Sequence, residues 1–198
     1  MKIYMFGGSF DPPHLAHTEM VNHIISDCDK LYIFPVKQSP NKVDGAVATS
    51  DQRFQMCRLS FQWISPKIEV SNFELNSLSP SYTINTVRWI LNLFPECELS
   101  IIIGEDQGAQ LEVWHEFRAL QKLVKFICFS RNYFELNPEI QLEYINNFNY
   151  KISSTELRSE LTHDMAKVKS MLHPQVFEFG GKRVACKFKS AVGVNVKS

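Results

Sequence analysis

The chain carries no net charge: Lys and Arg together number 21, Asp and Glu together 21, over 198 residues. A balanced surface of that kind excludes a broad electrostatic face for nucleic acid and confines any anion site to a local one. It also lacks a C-x-x-C pair. Its five cysteines (Cys28, Cys57, Cys97, Cys128 and Cys186) are odd in number and scattered, which argues against a disulfide scaffold or a zinc site. Cys28, Cys57 and Cys128 fall on apolar-patterned segments, where free cysteine acts as a small hydrophobe. No apolar run approaches the length of a membrane span. The first residues enter a strand directly, without a basic leader and apolar core of the secretory kind. These absences predict a cytoplasmic protein with no nucleic-acid and no membrane partner. Internal repeats, low-complexity stretches and clear linkers are missing too. The expectation is therefore one domain over residues 1–198, with a helical part and tail from about residue 150. The tail after Gly181 is basic (Lys182, Arg183, Lys187, Lys189, Lys197) and reads as a solvated end rather than a binding arm.

What is present is an alternation of strand-like and helix-like segments. Apolar runs at Ile3–Phe6, Leu31–Val36, Leu99–Gly104 and Val124–Phe129 read as strands, and a further strand begins at Ile68-Glu69-Val70 and runs toward Leu75. Helical spacing appears after Leu15, from Ser50 to Trp63, from Tyr82 to Phe94 and within Leu111–Leu123. Continuously apolar strands separated by helices predict a Rossmann-like α/β fold, a parallel sheet with helices on both faces. Such sheets bind ligands at the carboxyl ends of their strands, where the strand order reverses.

The first strand leads into Gly7-Gly8-Ser9-Phe10-Asp11-Pro12-Pro13-His14-Leu15-Ala16-His17. Paired glycines let the backbone turn tightly and approach a ligand, and the prolines suit the entry to a helix. His14 and His17, three apart, share one face of the first turn. Unpaired N–H groups and the positive dipole end of a helix favour anions there. Strand, glycine pair, helix start and two imidazoles in that order point to a polyphosphate site.

Near the other end, Ile152-Ser153-Ser154-Thr155-Glu156-Leu157-Arg158 leads into another helix. Ser153 and Glu156 fit a capping box, which suffices to explain them. Ser154 and Thr155 add hydroxyls at the helix start, and Arg158 follows one turn later with a planar fork matched to phosphate oxygens. Both segments resemble the nucleotidyltransferase superfamily, the first through its H-x-G-H element with Ala16 for the usual glycine. The second resembles the superfamily's I-S-S-T-x-x-R element, which closes over the ATP phosphates.

Three further segments narrow the resemblance: Ser79-Pro80-Ser81-Tyr82-Thr83 at a helix start; Ile102-Ile103-Gly104-Glu105-Asp106 followed by Val113-Trp114-His115; and Asp51-Gln52-Arg53 after Lys37-Gln38-Ser39-Pro40-Asn41-Lys42. This ordered set, over residues 1 to about 175, is similar to the bacterial nicotinate mononucleotide adenylyltransferases. The resemblance implies transfer of the adenylyl group of ATP, accompanied by Mg²⁺, to nicotinate mononucleotide. It implies catalytic roles for His14, His17 and Arg158. It assigns ATP to Gly7, Gly8, Ser9, Phe10, Gly104, Asp106, Arg131, Ser153, Ser154 and Thr155, and the mononucleotide to Lys42, Thr83 and Trp114. Asp106 suits the adenosine ribose, since a carboxylate after a strand accepts from two hydroxyls; it equally suits a helix N-cap. Trp114 offers a face to the nicotinate ring or fills the core as an ordinary aromatic.

The chain departs from the family in two places. Ser39-Pro40-Asn41-Lys42 stands where the family has P-P-H-K, and the end runs on into Gly180-Gly181-Lys182-Arg183 instead of a short aromatic finish. These keep three alternatives open: transfer to nicotinamide mononucleotide or to pantetheine phosphate, or a non-catalytic sensor of ATP or a dinucleotide. A homo-oligomer also stays open.

Overall fold

The computed structural model describes residues 1–38, 46–77, 80–130, 140, 142–146, 148, 150, 152–160 and 163–181. Its centre is a six-stranded sheet in the order β3-β2-β1-β4-β5-β6: β1 Lys2–Gly8, β2 Lys30–Pro35, β3 Ile68–Val70, β4 Glu98–Gly104, β5 Lys125–Phe129 and β6 Leu142–Ile145. Every neighbouring pair is parallel. The chain builds outward from β1 in one direction through β2 and β3, then returns to β1's other side and builds through β4, β5 and β6. The order therefore reverses between β1 and β4, which fixes where a ligand crevice opens.

The apolar strand runs are explained by two buried faces. Ile3, Met5, Tyr32, Phe34, Leu99, Ile101, Ile103, Phe126 and Cys128 point to one side, under α3 Thr83–Leu93. Tyr4, Phe6, Leu31, Ile33, Ile102, Ile127 and Phe129 point to the other, under α1 Leu15–Ile24 and α2 Ser50–Phe61. Alternation along each strand thus supplies both layers, as a sheet covered on both faces requires. Short helices α4 Glu105–Gly108 and α5 Phe117–Leu120 follow β4. At the end, α6 Ser154–Glu160, α7 Met165–Met171 and α8 Pro174–Val176 pack Leu157, Val168, Met171, Leu172 and Val176 against Ala48 and Met56 beside α2.

Several boundaries differ from the sequence reading. The third strand ends at Val70 instead of running toward Leu75, because the chain closes a turn in which Asn76 N donates to Asn72 O. Glu74 then folds inward and accepts from the Thr86 hydroxyl at 2.7 Å. Leu111–Leu123 is broken into a 3₁₀ turn, Leu111–Val113, and α5, because Glu116 between them takes a positive φ of 54°. Thr49, not Ser50, caps α2, accepting from Gln52 N. The edge strand β6 had no clear signal: four partly exposed residues are too few for a period to show. The four described cysteines are free thiols, and no described helix is long and apolar enough to cross a membrane.

Gly8 shows how closely the β1 exit is packed. A Cβ there would lie 3.1–3.3 Å from the Phe10 ring. That ring is boxed in edge-on by Phe6, Phe61 and His17 and cannot retreat. Gly8→Ala is expected to destabilise the protein by about 1–3 kcal/mol, the range for overpacked sites. Chemical denaturation measures it, and an unchanged midpoint would show that the aromatic box yields.

Candidate active site

After β1 the chain turns at Phe10, whose φ is 45°. The Phe10 side chain goes into the core, not to a ligand, so any contact this residue makes with ATP comes from its backbone. Asp11, next in line, is buried and holds a neighbouring segment: its carboxylate accepts from Val47 N at 2.7 Å and Ala48 N at 2.9 Å. Beneath it lies Arg53 of α2, only 1% exposed. Its guanidinium donates to Ser9 O at 2.8 Å, Val36 O at 2.6 Å and Lys37 O at 3.3 Å. One side chain thus ties the loop after β1 to the loop after β2. Burial lowers the Arg53 pKa, and the nearby charge of Asp11 opposes that shift. Sequence reading quoted both residues within motifs but gave neither a role, since nothing in a sequence shows which carbonyls a buried arginine will reach.

His14 is the N-cap of α1 and His17 sits one turn inside it. Their rings stack with centroids 3.7 Å apart and planes 23° apart, and His14 N donates to His17 Nδ1 at 3.2 Å. The expected shared face is therefore present. Burial pushes the His14 pKa down to about 3, so its imidazole is neutral near pH 7. Its Nδ1 is buried with no hydrogen-bond partner. Unsatisfied buried polar atoms are uncommon; Arg53 Nε, Glu74 Oε2 and His173 Nδ1 are the other described side-chain atoms of this kind.

Far away in sequence, α6 begins beside this pair. Glu156 N donates to Ser153 Oγ at 3.1 Å, the predicted cap. Ser154 Oγ donates to Pro12 O at 3.1 Å, so this hydroxyl's proton is committed to the first motif. Arg158 Nη1 donates to Asp11 O at 2.9 Å, and Nη2 to Thr155 Oγ1 at 3.2 Å. The two motifs are thus joined directly through Asp11 and Pro12.

Between them lies a cleft of about 380 Å³. His14, His17, Gly104, Asp106, Ser153, Ser154 and Thr155 line it, together with Phe6, Met20, Phe129, Phe148 and Tyr150. It sits at the carboxyl ends of β1 and β4, where the strand order reverses. Phe129 meets Phe148 edge-on at 5.0 Å, and Phe148 lies 5.2 Å from Tyr150, forming an aromatic wall that the sequence reading did not identify. A pair of aromatics just before Ile152-Ser153 was the only signal for it. Asp106 lies exposed in the first turn of α4, and Gly104, not Asp106, takes the N-cap position. Gly7 ends β1 beside Gly8 and Ser9. Arg158 is not among the lining side chains, since its guanidinium turns toward Asp11.

Thr83 and Trp114 lie outside this cleft. Thr83 opens α3, and Trp114 ends the 3₁₀ turn after α4. Stacking of Tyr82 on His115, centroids 4.1 Å apart, brings their two segments together. Trp114 is half-buried and meets Phe126 edge-on, so part of the ring is core, in line with the ordinary reading. Lys42 and Arg131, with Asn41, Ser79 and the tail from Lys182, lie outside the described residues.

The reversal point of the parallel sheet thus holds a helix-borne histidine pair opposite a hydroxyl-bearing helix start, an arrangement suited to phosphate groups. The chain belongs to the cytidylyltransferase-like family, whose model matches residues 5–160. It is 36% identical over 172 residues to a probable nicotinate-nucleotide adenylyltransferase of Fusobacterium nucleatum, covering 81% of this chain and 88% of that one. A probable nicotinate-nucleotide adenylyltransferase of Methylacidiphilum infernorum is 35% identical over 182 residues, covering 90% and 88%. Among solved structures, the Plasmodium falciparum nicotinic acid mononucleotide adenylyltransferase complexed with NaAD superposes with a TM-score of 0.73 at 25% identity, covering 92% of this chain and 95% of that one.

The buried His14 sets a pH dependence of stability. Its folded pKa of about 3 lies below the ordinary value of 6.5, so below pH 6.5 the unfolded chain binds the extra proton. Stability therefore rises with pH across that window and is level above it. His14→Asn removes this dependence. The wild type should lose up to about 1.4 kcal/mol per pH unit relative to this variant on acidification below about pH 6. Denaturant melts of both proteins across that range check it, and parallel curves would contradict it.

Proposed function

We propose that the protein is a nicotinate-nucleotide adenylyltransferase, forming nicotinate adenine dinucleotide and pyrophosphate from ATP and nicotinate mononucleotide in the NAD biosynthesis of the cytoplasm. The observation that carries the site assignment is the convergence of His14–His17 and Ser153–Thr155, over a hundred residues apart, on one cleft at the β1/β4 reversal. The curated relatives, matched over most of the chain, support the choice of acceptor.

The acceptor's 5′-phosphate oxygen forms a bond to the α-phosphorus of ATP while the bridging oxygen leaves with pyrophosphate. The attacking group is already an anion, so the protein needs no nucleophile or general base. Its work is to place the two phosphates in line and to meet the charge that spreads over them. His17 and the first N–H groups of α1 face the triphosphate. His14, neutral in the free protein, offers one donor and gains a proton more readily beside the arriving anion. Thr155 and the N–H groups of α6 close the opposite side, and Arg158, held beside the cleft by Asp11 and Thr155, swings from them to meet the departing phosphates. The aromatic wall of Phe129, Phe148 and Tyr150 takes the adenine, Asp106 the ribose, and backbone at Gly7, Gly8, Ser9 and Phe10 the turn beneath the phosphates. Thr83 and Trp114 receive the nicotinate carboxylate and ring. By the resemblance, Lys42 is proposed for the mononucleotide's phosphate and Arg131 for ATP.

Among the described residues, no group of three His, Cys, Asp or Glu is placed to hold a metal ion. The cleft's donors fit phosphate oxygens. Mg²⁺ would arrive with ATP and would offset the charge of its phosphates.

The test is formation of the dinucleotide and pyrophosphate with nicotinate mononucleotide, nicotinamide mononucleotide or pantetheine phosphate in turn. Turnover is expected to favour the nicotinate acceptor strongly. Preference for another acceptor would replace the substrate, and ATP binding without any product would make the protein a sensor. His17→Ala is expected to lower kcat by about a hundredfold or more with the fold intact; near-normal turnover would remove its role.

A further inference from the structure

The turn Trp114–Glu116 is held against α3 by more than the core. Glu116 takes a left-handed conformation, φ 54° and ψ 34°, which a residue with a side chain rarely adopts. Such a conformation persists only where its surroundings impose it. Two contacts impose it here. Arg88 of α3 grips the Glu116 carboxylate with both arms of its guanidinium, Nη1 to Oε1 at 3.3 Å and Nη2 to Oε2 at 2.6 Å. His115 lies flat on Tyr82, the N-cap residue of α3, with Nε2 3.5 Å from Glu116 Oε1. An exposed ion pair is ordinarily weak, but a bidentate Arg–carboxylate pair fixes orientation as well as distance.

These contacts join two short segments. One carries Tyr82 and Thr83 at the start of α3; the other carries Trp114 at the end of the 3₁₀ turn. Neither lines the cleft assigned to ATP. We propose that Arg88 and Glu116 are positioning residues for the pyridine mononucleotide: their pair holds the Trp114 turn in register with the N-terminus of α3, so that ring and carboxylate of the acceptor meet a preformed surface. The inference rests on the acceptor assignment above. It accounts for a strained residue and a two-armed salt bridge on the surface beside that assignment, where a plain connection between two helices would need neither.

Preorganisation of this kind acts on acceptor binding and leaves ATP binding alone. Arg88→Ala and Glu116→Gln should each raise the KM for nicotinate mononucleotide about five- to tenfold, with kcat and the KM for ATP little changed. The exchanged pair Arg88→Glu/Glu116→Arg should recover most of the loss. Amide hydrogen exchange of the free protein provides a readout independent of turnover. Residues 114–117 should exchange faster in Arg88→Ala, while the His14–His17 turn keeps its wild-type rate. An unchanged acceptor KM, or an equal rise for ATP, overturns the proposal, as does unchanged exchange at residues 114–117. A wild type inactive toward nicotinate mononucleotide would instead defeat the acceptor assignment, and faster exchange in the variant would then show a strap without that substrate.

Discussion

The buried guanidinium of Arg53 is the contact on which the site depends. Its charge is removed from water and met by the carbonyl oxygens of Ser9, Val36 and Lys37, with the Asp11 carboxylate close enough to oppose the cost of burial. Carbonyls at strand ends have no ladder partner, and leaving them buried and unpaired is costly. One arginine satisfies three of them and in doing so fixes how two strand exits lie relative to each other. Asp11 continues the arrangement upward, taking the Val47 and Ala48 N–H groups on its carboxylate and Arg158 on its carbonyl. The loop after β1, the start of α2 and the late helix α6 thereby share one rigid support. Catalysis by positioning requires such a support, because a small displacement of either phosphate lowers the rate steeply.

The electrostatics of the cleft follow from the same packing. A neutral protein can still bind a polyphosphate when donors are concentrated at two helix starts and two imidazoles stack at one of them. Burial keeps His14 uncharged near pH 7, so its ring stacks on His17 without adding a positive charge there. Arg158, engaged by Asp11 and Thr155, is held close by without projecting into the cleft.

Much of this was legible in the sequence. The apolar strand runs gave the parallel sheet, because strands buried on both faces cannot alternate with polar residues. His14, His17, Ser153, Ser154 and Thr155 were readable because their spacing sits at helix starts, and the structure gathers them around one cleft. Residues that act through tertiary contact were not readable. Arg53 stood in a quoted motif without a role, Phe10 looked like part of a ligand loop when its ring is core, and Phe148 and Tyr150 looked like unpatterned aromatics. Glu116 gave no sign of its left-handed backbone. Each of these is determined by what packs against it, which no local pattern encodes.

The proposed reaction is a direct transfer between two held phosphates, with no adenylylated protein on the way. Adenylyl transfer from ATP made chiral at the α-phosphorus distinguishes this from a covalent route through the configuration of the dinucleotide product. A single in-line displacement inverts that centre, and inversion is the result expected. Retention would require two displacements through a covalent intermediate and would exclude direct transfer.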